Sequence, residues 1–180
     1  MIIRKATLRD IPEMLGLVNG YAAHGAMLPR TEFELAEDIR DFALAEVDGR
    51  VAGCGALHIY TPTAAEVRSL AVDPALKRHG VGRGIVTELE RQALEIGLAS
   101  LFAFTYVPDF FARLGYDQVD RGLLPQKAWK DCLRCPKFQA CDEIAVRKQL
   151  RPIAPAEHAA SRLTVLQSAA APFPVPKTNP

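Results

Sequence analysis

Three glycines at alternate positions, Gly80, Gly82 and Gly84, stand among Lys77, Arg78, His79 and Arg83, directly before a helical pattern that starts near Ile85. Glycine lets a backbone approach a ligand closely, and the free N–H groups at a helix start point at an anion with the positive end of the helix dipole behind them. The chemistry this spacing suits is the holding of a phosphate; the same residues would also serve as a tight strand-to-helix turn with solvated basic side chains. A P-loop needs Gly-Lys-Ser/Thr at its end, and Arg83-Gly84-Ile85 follows Gly82 here. A dinucleotide fingerprint needs a strand running straight into the first glycine, whereas Asp73 to His79 intervene. Arg30 is a second group with chemical potential. It sits in a short loop just before a helix, where a guanidinium can clasp a carboxylate through two N–H groups, though an arginine there is also an ordinary solvated residue.

The elements that must position these groups can be read in order. Ile2, Ile3, Arg4 and Ala6 suggest a first strand, and Thr7 or Asp10 can cap a helix whose Ile11, Met14, Leu15 and Val18 repeat at helical spacing. Thr31 and Glu34 have the form of a capping box opening a helix through Phe42. Phe42 to Glu46 and Val51 to Tyr60 read as a hairpin around Asp48-Gly49, with Gly53 and Gly55 marking a bulge or a close backbone contact. Val67, Leu70, Ala71 and Val72 form a strand stopped by Asp73-Pro74, and a helix runs from about Val81 to Ile96. Leu101 to Phe104 is a continuous apolar run suited to a strand buried on both faces. A short helix, Asp109 to Leu114, is capped by Gly115, and Tyr116 to Val119 can begin another strand. Glu143 to Leu150 has both strand and helix potential. From Arg151 to Pro180 the composition turns to alanine and proline, so residues 1–150 are expected to form one domain and 151–180 a mobile tail.

The 180 residues suffice for one compact domain with a modest appendage, and an apolar share of 49% supplies a core. The net charge of +1 offers no global field for nucleic acid or an anionic membrane. The N-terminus turns charged before an apolar leader could form, and no apolar run reaches the length of a membrane span. A cytoplasmic protein is expected, and four cysteines suit a reducing compartment.

The basic residue three before Gly80, the spacer after the strand, and Phe110 to Tyr116 (FFARLGY) together resemble the GNAT acetyltransferase superfamily. Lys77 is a mild departure at the first position of that family's loop. The resemblance covers Ile2 to about Leu150, and it sharpens with LPRT (Leu28–Thr31), GCGAL (Gly53–Leu57), EVRSLAV (Glu66–Val72), LFAFTY (Leu101–Tyr106) and LLPQKAW (Leu123–Trp129). These look like the acetyltransferase domain of bacterial N-acetylglutamate synthases, in a short stand-alone form without a preceding kinase-like domain.

The resemblance implies an α/β GNAT fold: a mixed, mostly antiparallel central sheet with helices on both faces and a splayed strand pair that takes acetyl-CoA as cosubstrate. It implies direct acetyl transfer to the α-amine of L-glutamate, or of glutamine, opening arginine biosynthesis. The acetyl carbonyl would lie near the backbone of Leu70, Ala71 and Val72, and the pyrophosphate on the N–H groups of Arg78, His79, Gly80, Val81, Gly82, Arg83 and Gly84. Glu66 stands where many members carry the carboxylate that takes the amine's proton, although a strand-end glutamate is equally a solvated one. Phe111 stands where many members carry a tyrosine beside the CoA thiol, so it is expected to line the cosubstrate without acting as an acid; Tyr106 is near in sequence, and unaided departure of the thiolate is the alternative. Arg30 is the candidate for one substrate carboxylate and Lys127 for the other. Another small-molecule or protein amine, or a CoA-binding module without turnover, are the competing functions. Many relatives pair, which makes a homodimer an expectation beside a monomer.

Cys132-x-x-Cys135 with Cys141 has one pair at zinc-knuckle spacing and lacks the second, so free or buried thiols are favoured over a structural zinc completed by Cys54 or His158. The proposed acyl transfer needs no metal.

Overall fold

The computed structural model describes residues 1–124, 133, 135 and 137–154. Seven strands form one sheet in the order β1-β2-β3-β4-β5-β7-β6, with β1 Ile2–Lys5, β2 Phe42–Val47, β3 Arg50–Thr61, β4 Ala64–Val72, β5 Ser100–Thr105, β6 Asp117–Gln118 and β7 Ile144–Gln149. Every neighbouring pair is antiparallel except β4–β5. Asp48 and Gly49, both with positive φ, close the β2–β3 hairpin as expected of an Asp-Gly turn.

Helices cover both faces. On one, α1 (Ile11–Ala22) and α2 (Glu32–Glu37) bury Met14, Val18 and Leu35 against Phe42, Leu44, Cys54 and Ala56. On the other, α3 (Val81–Glu95) sets Val81, Ile85 and Leu89 over Ala52, Leu57 and Val67, with Phe111 of α4 (Pro108–Ala112) and Tyr116 in the same core. Gly53 and Gly55 let α3 come this close. A Cβ on Gly53 would stand 2.9 Å from the Ala71 carbonyl oxygen, and one on Gly55 2.9 Å from the Ile85 side chain.

Three expectations change. The helix opened by the Thr31–Glu34 capping box stops at Glu37, and a 3-10 turn at Ile39–Asp41 delivers Phe42 into β2, where it is fully buried. The segment from Glu143 resolves as the strand β7, paired along all of β5. The short helix after β5 ends at Ala112, two residues before Leu114, ahead of Gly115 in its left-handed conformation. Among the described residues no helix is long and apolar enough to cross a membrane.

The feature that organises the site is the seam between β4 and β5. These strands pair in register only at Ala64–Ser100, Ala65–Leu101 and Glu66–Phe102. Beyond Glu66, β4 stays with β3 and β5 with β7, so a wedge opens between them. A bulge at Ser69, whose φ is +52°, adds one residue to β4 opposite Gly55 and bends the strand as it leaves the seam.

Candidate active site

The wedge leads at its wide end to the start of α3. Arg78 and Gly80 both adopt left-handed φ, 71° and 80°, and Gly80 is the N-cap. The first intrahelical bond runs from the Gly84 N–H to the Gly80 carbonyl at 2.9 Å, which leaves the N–H groups of Val81, Gly82 and Arg83 to point out of the helix. Free N–H groups on the first turn of a helix suit an anion. Lys77, Arg78, His79, Gly80 and Arg83 are exposed there, while Val81 is buried as the helix's anchor. Gly82 faces Phe110: a Cβ on it would meet that ring at 3.3 Å and Val72 at 3.5 Å.

Leu70, Ala71 and Val72 lie on β4 past its pairing with β5, along one edge of the wedge. The Leu70 and Val72 side chains pack toward α3 and Ala71 toward α1. The Val72 carbonyl accepts a 2.7 Å hydrogen bond from the Tyr21 hydroxyl, so α1 fixes the strand end. Phe111, expected to line the cosubstrate, packs inward. Its side chain is buried in the core, edge-on to Tyr116 at 5.2 Å between ring centroids, and Phe110 is the residue that flanks the helix start. The one-residue step reflects which face of the short α4 meets the sheet.

Glu66 is the last β4 residue in register with β5, so its carboxylate stands at the vertex of the wedge. It is 2% exposed, which removes the reading as a solvated strand-end residue. Tyr60 donates its hydroxyl to Glu66 Oε2 at 3.3 Å. Alternation along β4 puts Arg68 on the face that carries Glu66.

Arg30 meets this cluster from the other side. Its backbone is clamped to α1 by Asn19, whose side chain both accepts from the Arg30 N–H and donates to the Arg30 carbonyl at 2.9 Å. Thr31 then caps α2, its hydroxyl accepting from the Glu34 N–H. Thus anchored, Arg30 Nη1 lies 3.3 Å from Asp38 Oδ2, and Arg68 Nη2 lies 2.7 Å from the same oxygen. Both guanidiniums are largely buried. Nearby, His58 Nδ1 stands 3.0 Å from Asp41 Oδ2, and Asp38, Asp41 and His58 offer ligand atoms within 4.8 Å of one another. Two arginines already hold Asp38, so that carboxylate is engaged by guanidiniums rather than open to a metal ion.

Sequence reasoning passed over Arg68, Asp38, Tyr60 and His58. The signal available was the two-residue spacing of Glu66 and Arg68 in a strand; the other three needed the β3–β4 register and the turn after α2. Tyr106 is placed away from acid duty: its hydroxyl donates to Asp142 at 2.7 Å and accepts from Lys137 at 3.0 Å. Burial and the Asp142 carboxylate raise it above the ordinary phenol range, with Lys137 opposing. Lys127, Cys132 and His158 lie outside the described residues, as does nearly all of the 151–180 segment. Cys54 is in the core, its thiol bonded to the Ser69 carbonyl at 3.8 Å and pushed by burial up to about 12, while Cys141 is near Glu143.

Comparison with known proteins agrees with this geometry. Residues 14–116 match the model of the acetyltransferase (GNAT) family. The chain is 42% identical over 148 residues to an uncharacterized N-acetyltransferase of Chlorobaculum tepidum, covering 82% of this chain and 96% of that protein. It is 36% identical over 122 residues to an amino-acid acetyltransferase of Mycobacterium tuberculosis, covering 66% and 70%. Among solved structures, N-acetylglutamate synthase from Neisseria gonorrhoeae, complexed with coenzyme A and N-acetyl-glutamate, superimposes with a TM-score of 0.76 at 27% identity, covering 84% of this chain and 35% of that one. The chain belongs to the acetyltransferase (GNAT) family and is an acetyl-CoA-dependent N-acetyltransferase.

Proposed function

We propose that the acceptor is the α-amine of L-glutamate, which makes this enzyme an N-acetylglutamate synthase acting in the cytoplasm at the start of arginine biosynthesis. The observation that carries the reading is the convergence of Arg30 and Arg68 on Asp38, on the same face as the buried Glu66. An amino acid presents an ammonium and a carboxylate two bonds apart. Glu66 and Arg68, two residues apart on one face of β4, present the complementary pair.

Acetyl-CoA, when bound, supplies the acyl thioester. The N–H groups of Val81, Gly82 and Arg83 suit its pyrophosphate, since they are free of helix partners and no side chain on Gly82 fills the approach. The unpaired edge of β4 at Leu70 to Val72 suits its extended amide-bearing arm. The ammonium must lose a proton before nitrogen can attack, and Glu66 at the vertex accepts it, directly or through a water. Arg30 and Arg68 hold the carboxylate and so orient the amine toward the wedge. The departing thiolate needs little help, because a thiol titrates near about 8.5, and Tyr106 is engaged with Asp142.

Glutamine is a second reading with a specific observation behind it. Asp38 lies between the two guanidiniums and Asp41 stands beside His58, so the aspartates of this cluster match its arginines in number and leave little positive charge for a second substrate carboxylate. A side-chain carboxylate needs a further cation, the part foreseen for Lys127.

The test is release of free thiol from acetyl-CoA with a panel of amino acids and polyamines. Turnover with glutamate that is lost in Arg30→Ala and Arg68→Ala supports the proposal. Glutamine outpacing glutamate selects the second reading, and turnover with cationic amines alone defeats both.

A further inference from the structure

Asp73 to His79 separate β4 from the start of α3, and one side chain from α1 holds this segment at two points. The Tyr21 hydroxyl, in the last turn of α1, donates to the Val72 carbonyl at 2.7 Å, where the segment begins. The Tyr21 ring lies under the Lys77 ammonium, 5.1 Å from the ring centroid, where the segment nears the helix. Between the two points the chain follows its own short turns. Asp73 caps a 3-10 turn at Pro74–Leu76, and the Lys77 carbonyl meets His79 Nδ1 at 3.0 Å.

The direction of the Val72 carbonyl follows from the ladder. The Asp73 N–H donates to the Ala52 carbonyl of β3 at 2.8 Å, so Val72, one residue earlier, turns its own N–H and carbonyl away from β3. On that side β5 has already parted from β4. Val72 is also the residue beside Gly82, where an added Cβ would stand 3.5 Å from its side chain. The peptide that Tyr21 fixes therefore borders both the wedge and the helix start. The ring acts on Lys77. A solvated ammonium samples many positions, and one held over an aromatic face has lost part of that freedom before a ligand arrives. We infer that Tyr21 is a positioning residue for the cosubstrate: its hydroxyl fixes the strand end at the wide mouth of the wedge, and its ring stations the exposed Lys77 ammonium for a phosphate. The inference rests on the start of α3 as the phosphate site. Asn19, two residues earlier on α1, holds the Arg30 backbone, so one turn of α1 supports the acceptor side through Asn19 and the cosubstrate side through Tyr21.

The test is calorimetric titration with CoA, which needs no acceptor, together with steady-state thiol release from acetyl-CoA, in Tyr21→Phe, Tyr21→Leu, Lys77→Ala and the Tyr21→Leu/Lys77→Ala double variant. Tyr21→Phe keeps the ring and removes one hydrogen bond, and it should weaken CoA about fivefold. Tyr21→Leu removes both contacts and should weaken it about tenfold or more. Lys77→Ala should cost about threefold to fivefold alone and add little on the Tyr21→Leu background, where the ammonium has already lost its support. The losses should fall on KM for acetyl-CoA rather than on kcat or on KM for the acceptor, whereas a general loosening of the fold would move all three. Lys77→Ala changes an exposed side chain and Tyr21→Phe keeps the ring, so both serve where Tyr21→Leu fails to fold. Wild-type CoA affinity in these two variants, beside a weakened Gly82→Val, overturns the role of Tyr21 alone. Wild-type affinity in Gly82→Val as well moves the phosphate site elsewhere, and this role falls with it. Full additivity of Tyr21→Leu and Lys77→Ala overturns the part given to the ring.

Discussion

Arg30, in the loop before α2, and Arg68, in the middle of β4, bring one nitrogen each to a single oxygen of Asp38, at 3.3 Å and 2.7 Å. One oxygen between two guanidiniums fixes their spacing before any acceptor arrives. Substituting Arg68 by alanine should raise KM for the amino-acid acceptor 30- to 100-fold, the loss of roughly 2–3 kcal/mol for a charge-assisted bond. Arg68→Lys should recover little, since an ammonium cannot reproduce the planar fork. Steady-state kinetics at saturating acetyl-CoA checks both, and an unchanged KM in Arg68→Ala would remove the carboxylate clasp from the site.

At the helix start, Gly82 meets the Phe110 ring with almost no room to spare. Gly82→Val should raise KM for acetyl-CoA about tenfold or more by filling the approach to the free N–H groups, with a much smaller effect on the acceptor. Fluorescence or calorimetric titration with CoA gives the answer directly, and wild-type affinity in the variant would move the phosphate site elsewhere.

Gly53 carries a different cost. A methyl group there runs into a backbone oxygen that cannot turn away. Gly53→Ala should therefore destabilise the fold by about 1–3 kcal/mol, the usual penalty for overpacking. Gly49→Ala, in a turn with open space around it but a φ of 74°, should cost about 1 kcal/mol through the backbone alone. Urea unfolding of the two variants separates steric from conformational strain.

Acid stability should centre on Asp10. Arg4 grips its carboxylate with two nitrogens at 2.8 and 2.9 Å, and Thr7 adds its N–H and hydroxyl, both at 2.8 Å. The guanidinium first, then the Thr7 donors, hold this carboxyl well below the ordinary aspartate range, against the opposing effect of burial. A carboxyl depressed in the folded state contributes stability above its unfolded value near about 4, and that contribution is lost as pH falls below it. Asp10→Asn should cost about 1–2 kcal/mol at neutral pH and flatten the decline of Tm on acidification. A variant whose Tm keeps the wild-type slope between pH 5 and pH 2 (roughly the window in which such carboxyls titrate) would assign acid sensitivity to another group.

The cysteines should divide by burial. Cys54, pushed up to about 12 by its apolar surroundings, should resist alkylation at pH 8 (about four units below that value) until the protein unfolds, while Cys135 and Cys141, both partly exposed, react in the native state. Mass spectrometry of the labelled peptides reads the order.

Much of this architecture was legible in the residues because local rules and tertiary packing agree. Asp48-Gly49 specifies its hairpin whatever surrounds it, and the glycines from Gly80 to Gly84 mark the start of a helix. Glu66 was found by position in a pattern, but its burial was not, since that depends on Phe102 of β5 and Tyr60 of β3 closing over it. Arg68 shows the limit most clearly: an arginine in an apolar strand has no local signature of purpose until Asp38 is brought beside it by the turn after α2. That Phe111 faces the core and Phe110 the start of α3 could not be read from the sequence, because a five-residue helix has no periodicity from which to tell its inner face from its outer one.

The seam that closes at Glu66 has one more consequence. β4 and β5 are zipped for three residue pairs and parted beyond them, so on the function proposed above the cosubstrate would lie where these two strands separate. A ligand with an amide-bearing arm would act there as a surrogate strand, bridging two halves that the polypeptide leaves ajar. Occupancy and cohesion would then be one property: a protein loaded with cosubstrate should resist heat, denaturant and protease better than an empty one.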